Sequence, residues 1–185
     1  MRILIAPVLV LALAGPAFAS PTDDVRVALM KLSQATSYHM DISAGGKTMQ
    51  VDIVQPGKMH ITMGPTQMIR VGDATWVFVN GHWMTIPAMA AGRAGDAFAA
   101  AGAPQQLTAH ATRIEVTDLG MKTVDGETLH AYGVTDPDQP QHPSTVYVGG
   151  DGLVHRMESV DASGRTDAIK FSGFNSRITI DPPAS

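Results

Sequence analysis

"YHMDISAGGKTMQVDIVQPGKMHITMGPTQMIRVGDATWVFVNGHWMTIP", Tyr38 to Pro87, decides the fold. Apolar and polar residues alternate along most of it, which is the pattern of strands with one buried face. Gly45-Gly46 is a two-residue hairpin turn, because glycine accepts the positive φ such turns require. Pairing across it sets Ile42 against Met49, Met40 against Val51 and Tyr38 against Ile53. One face is then apolar. The other carries His39, Asp41, Ser43, Thr48, Gln50 and Asp52.

Each later turn must keep those faces sorted, since a one-residue slip exchanges every side chain between them. At "QPGK" a three-residue loop does so, predicting Ile53 against Ile61 and Val51 against Met63. The same reasoning at "GPT" predicts Ile61 against Ile69 and Met59 against Val71. Gly72-Asp73 and Asn80-Gly81 are two-residue turns that set Trp76 against Ile69 and Phe78 against Trp83. The predicted apolar face therefore runs from Tyr38, Met40, Ile42, Met49, Val51 and Ile53 through Met59, Ile61, Met63 and Ile69. It closes on Trp76, Phe78 and Trp83. Aromatics are only 5% of the chain, so three of them on one hairpin are read as closing one end of this face.

Upstream, Met1-Arg2 begins a short basic start, followed by the apolar run Ile3 to Gly15 and then "PAFAS". This is the form of a secretory signal cut after Ala19, too short to span a bilayer. The expected mature chain is one domain, residues 20–185. No cysteine follows the apolar run to take a lipid anchor. The expected location is the periplasm. With no cysteine anywhere, the fold must rest on its core alone. The formal net charge is −4, with no basic run, so nucleic acid is a poor partner.

Asp23 to Gln34 has helical spacing, with Val25, Leu29 and Leu32 on one face and Thr22 or Asp23 as cap. Ala88 to Pro104 is rich in Ala and Gly and is expected to lie over the apolar face as a short helical segment, with Asp96 as a candidate cap. Further strands are expected at 113–119, 129–134, 145–148, 154–160, 166–174 and 178–180. Asp136 to Pro143 is a Pro-rich loop. The fold class is α+β, an incomplete antiparallel half-barrel of about ten strands with helical cover on its concave apolar face.

Four stretches together resemble the LolA-like half-barrel family, which includes the LppX/LprG-type lipid-binding lipoproteins. They are "ALMKLSQATSYHMDI", "VQPGKMHI", "MIRVGDATWVFVNGHWMTIP" and "GLVHRMESVDASGRTDAIKFSGFN". Their order spans most of the chain after the signal. The resemblance implies an incomplete barrel around a hydrophobic cavity that takes acyl chains. It implies roles there for Trp76, Phe78 and Trp83, and for Met59 and Ile61.

Little points to chemistry. The seven His form no short two-His zinc motif. His39, Asp52 and Thr62 are expected together on the polar face as a solvated cluster. No Gly-x-Ser-x-Gly elbow exists, and "VGGDG" lacks the Lys-Ser/Thr ending of a phosphate loop. Arg70 and Arg93 are candidate contacts for an anionic headgroup, although surface charge is the commoner role. The expected function is therefore non-enzymatic. An exported envelope protein binds lipid, or the acyl chains of a lipoprotein, along the apolar face, without cofactor or metal. It is expected to be a monomer with transient contacts to envelope proteins. The alternative is a periplasmic interaction or sensor module whose apolar face is ordinary core.

Overall fold

The computed structural model describes residues 20–87, 114–135, 143–160 and 163–183. The expected signal, the Ala-rich segment with Arg93, His110 and most of the Pro-rich loop with His142 lie outside the described residues.

One helix, α1 (Pro21–Gln34), opens this part of the chain. Its cap is Ser20, not Thr22 or Asp23. The Ser20 hydroxyl accepts from the Asp23 backbone N–H at 3.2 Å, and Pro21 fits the first turn, where no N–H is needed. Asp23 and Asp24 lie at the positive end of the helix dipole and Lys31 in the last turn. Val25, Ala28, Leu29 and Leu32 are buried, as their spacing predicts.

Eleven strands follow. β1 (Ser37–Ala44), β2 (Lys47–Val54), β3 (Lys58–Met63), β4 (Thr66–Val71), β5 (Ala74–Val79) and β6 (His82–Ile86) form a meander. Then come β7 (Glu115–Val124), β8 (Glu127–Thr135), β9 (Ser144–Val148), β10 (Val154–Val160) and β11 (Thr166–Ser172). They make one open antiparallel sheet in the order β6-β5-β4-β3-β2-β1-β11-β10-β9-β8-β7. Consecutive strands β6 and β7 thus lie at opposite edges. The architecture is the expected half-barrel with an N-terminal helix. The expected strand at 178–180 is absent. That stretch is instead held where Lys58 Nζ donates to Ile180 O at 3.1 Å, and just before it Asn175 donates its N–H to Ser37 O at 2.8 Å.

The first hairpin has the predicted register, Tyr38 opposite Ile53, Met40 opposite Val51 and Ile42 opposite Met49. Gly45 and Gly46 have φ +58° and +78°. The second turn has the predicted three residues, but they are Gln55-Pro56-Gly57, one residue earlier than expected, so each partner differs by two from the prediction. Ile53 faces Met59 and Val51 faces Ile61, so the faces remain sorted.

The third turn departs. It is a two-residue loop, Gly64-Pro65, with Met63 opposite Thr66. Ile61 therefore faces Met68 rather than Ile69, and Met59 faces Arg70 rather than Val71. Gly64 at φ +55° supplies the positive φ that the first centre of a primed turn needs, and proline's fixed φ suits the second. The later turns are as predicted, with Ile69 opposite Trp76 and Phe78 opposite Trp83. They inherit the one-residue slip.

The core lies between α1 and one face of the sheet. It joins Val25, Leu29 and Leu32 to Tyr38, Met40, Val51, Ile61, Tyr132, Val146, Val154 and Phe171. Helix α1 packs mainly on β7, β9 and β10. The Tyr132 hydroxyl fastens it by donating to Asp24 at 3.1 Å. Burial and the Asp24 carboxylate push that hydroxyl's pKa up to about 12, so it remains a donor.

Candidate functional site: the helix-side face of β1–β6

Cross-strand partners share a face, so the register sorts the meander. On the helix side, one row is Met40, Val51, Ile61, Met68, Val77 and Met84. A second is Tyr38, Ile53, Met59, Arg70, Thr75 and Ile86. Toward the other strand ends Ile42 pairs with Met49, and Met63 pairs with Thr66. Five strand spacings of about 4.8 Å make each row roughly 24 Å long.

Burial falls steadily along the first row. Met40, Val51 and Ile61 are 6%, 0% and 6% exposed, Met68 and Val77 are half-buried, and Met84 is 55% exposed. Met63, also on this face, is 47% exposed. The inner half is therefore core, while the outer half is an apolar strip that the described elements leave partly open. Six of the eleven methionines stand on this part of the face: Met40, Met49, Met59, Met63, Met68 and Met84. Unbranched, polarisable side chains of this kind adapt to guests of variable shape. Arg70 brings a positive charge to the second row. It is exposed, its Nε donates to Gly72 O at 3.1 Å, and no carboxylate pairs with it among the described residues.

The structure thus separates the predicted site residues. Tyr38, Met40, Ile42, Met49, Val51, Ile53, Met59, Ile61 and Met63 share the helix-side face. Ile69, Trp76, Phe78 and Trp83 stand on the opposite face. Their expected place belongs to Met68, Val77 and Met84, which the sequence reading missed. The signal was the order Gly-Pro at 64–65, which suits a two-residue primed turn.

On that opposite face one row reads His39, Asp52, His60, Ile69, Trp76 and Thr85. Its polar half is a ladder. His39 Nδ1 lies 2.8 Å from Asp52 Oδ1 and His39 Nε2 lies 3.3 Å from Asp41 Oδ1. His60, rather than the expected Thr62, stands opposite Asp52, with Nδ1 3.8 Å from Oδ2. Partial burial works against the His39 charge, but the two carboxylates more than offset it and raise its pKa. The apolar half holds Phe78 against Trp83, ring centroids 5.2 Å apart, with Trp76 alongside.

Two other histidines are held by carboxylates. His130 lies 2.6 Å from Asp118 and stacks on Tyr132 at 4.5 Å, continuing the Asp24 tie to α1. The Gly120 N–H and His130 hold the Asp118 carboxyl below its usual pKa. His155 lies between Glu127 at 2.8 Å and Asp151 at 3.1 Å. Among the described residues no group of three or more such side chains is arranged to hold a metal ion.

No protein-family model matches the sequence, and neither does any curated protein sequence. Solved structures do match in fold. The lipoprotein LppX of Mycobacterium tuberculosis superposes with a TM-score of 0.61 at 16% identity, over 88% of this chain and 98% of that one. LprF from Mycobacterium bovis gives 0.64 at 13% identity, over 89% of this chain and 97% of that one. The chain thus has the fold of LppX and LprF.

Proposed function

We propose that this protein binds lipid, or the acyl chains of an acylated partner, non-covalently on the helix-side face of β1–β6. The observation that carries the reading is the burial gradient from Val51, 0% exposed, to Met84, 55% exposed, along one uninterrupted apolar row. A sheet is expected to bury its apolar face. An acyl chain laid along the outer half of the row would do so. Each buried CH₂ gains about 0.8 kcal/mol, so a chain of ~16 carbons gains roughly 12 kcal/mol before ordering costs are subtracted. Met49, Ile53, Met59, Met63, Met68, Val77 and Met84 would line the chain, and Arg70 would face an anionic headgroup. Action in the periplasm after removal of residues 1–19, without catalysis, completes the proposal. The alternative sensor module draws its support from the inner half of the row, which α1 and its neighbours already fill.

Native mass spectrometry after mild purification, followed by titration with a fluorescent fatty-acid analogue, tests the proposal. Co-purified lipid or saturable uptake is expected. Met84→Gln should weaken uptake while moving the melting temperature little, because most of that side chain is already exposed. A clean apo mass with no saturable uptake would favour the sensor module.

A further inference from the structure

The aromatic cluster stands on the face away from α1 and takes no part in the row just described. It occupies the β6 edge of the sheet, beside which no further strand lies among the described residues. β6 is an edge strand with apolar side chains on both sides: Trp83 on one face and Met84, 55% exposed, on the other. Phe78 and Trp76 on β5 extend the first side, and Ile69 on β4 continues it. All four are half-buried, and the Phe78 and Trp83 rings are in contact, 5.2 Å between centroids. From Ala74 to Ile86 there is no Asp, Glu, Lys or Arg.

We propose that this β5–β6 edge docks on the interfacial zone of a lipid bilayer, with Trp76, Phe78 and Trp83 as its anchors. Three observations favour that occupant over a protein. A globular partner seated on the aromatic side would leave Met84 in water, whereas an interface receives both sides of the edge at once. The absence of charge over thirteen residues suits a zwitterionic surface and gives an acidic or basic partner nothing to pair with. Tryptophan is amphipathic, and its ring is favoured at headgroup level. Depth is limited by the backbone. The outward N–H and C=O groups of β6 have no strand beside them among the described residues. Water and headgroups satisfy such groups, and the hydrocarbon core does not. The edge therefore rests in the interface without crossing it. This docking does not depend on a ligand occupying the helix-side face.

The two tryptophans of the chain both lie in the proposed anchor, so intrinsic fluorescence reports on it directly. The protein should be taken as it accumulates in cells, with its N-terminus fixed by mass spectrometry, and titrated with phosphatidylcholine vesicles. The expected result is a saturating blue shift, quenching by brominated phosphatidylcholine, and co-flotation that added salt leaves unchanged. Thr85→Glu places a charge opposite Trp76 at an exposed edge position. It should leave the melt intact and cut vesicle partitioning at least about tenfold, the equivalent of ~1.4 kcal/mol. Unchanged emission and flotation with lipid would overturn the proposal, as would normal partitioning of Thr85→Glu. So would a concentration-dependent doubling of mass that buries the tryptophans, which would make the edge a contact between two copies.

Discussion

His39 is held between Asp52 and Asp41, and its charged form is the one those carboxylates favour. Its folded pKa lies above the ordinary histidine value of about 6.5. By linkage, the stability this charge adds is complete below the unfolded pKa and is lost as pH rises through the folded one. Melting temperatures of the wild type and His39→Gln, compared from pH 5.5 to 8.5, should therefore differ most at the acid end and converge at the alkaline end. A constant difference would show that His39 contributes only neutral hydrogen bonds. Because the group is 28% exposed, solvent screens the pair and the effect should be modest. Turn geometry also explains why sequence alone placed His39 opposite Asp52 but missed His60. The first pairing crosses a glycine-glycine turn of fixed length. The second crosses "QPGK", where two loops keep the same faces sorted but bring different residues opposite one another.

At the scale of the element, the turn between β3 and β4 controls the outer half of the sheet. A loop of two residues instead of three sends Met68, Val77 and Met84 to the helix side, and Ile69, Trp76, Phe78 and Trp83 away from it. Gly64 is the residue that permits the shorter loop. A Cβ there would meet nothing within 4 Å, so substitution costs conformation alone. Gly64→Ala should lower stability by roughly 1–2 kcal/mol, read as a smaller urea midpoint at an unchanged slope. A loss well below that, with the slope altered, would mean that the turn can re-form at another length. The helix, the first hairpin and the sorting of faces as far as β3 were legible, because each is fixed by spacing within a few residues, although the β2–β3 pairing itself lies two residues from the expected register. The outer rows were not. β4 and β5 are apolar on both faces, Met68 and Val77 on one side and Ile69 and Trp76 on the other, so alternation there does not select a register.

Across the whole molecule, the open sheet has two apolar regions. The helix-side face carries α1 over β7, β9 and β10, is buried at its centre through Met40 and Val51, and opens toward β6 through Met68 and Met84. The opposite face is polar across β1 to β3 and aromatic at the same free edge. The LppX-type half-barrel accounts for the first, and the displaced tryptophans produce the second. Carriage and docking would then meet at one edge, with the exposed end of the methionine row beside the aromatic anchor. The most direct measurement labels the methionine methyl groups with carbon-13 and follows their signals during titration with a nitroxide-labelled fatty acid. Saturable broadening of Met59, Met63, Met68 and Met84, with Met30 on the outer side of α1 unaffected, is the predicted result. No saturable broadening, or broadening at Met30 alone, would contradict the account.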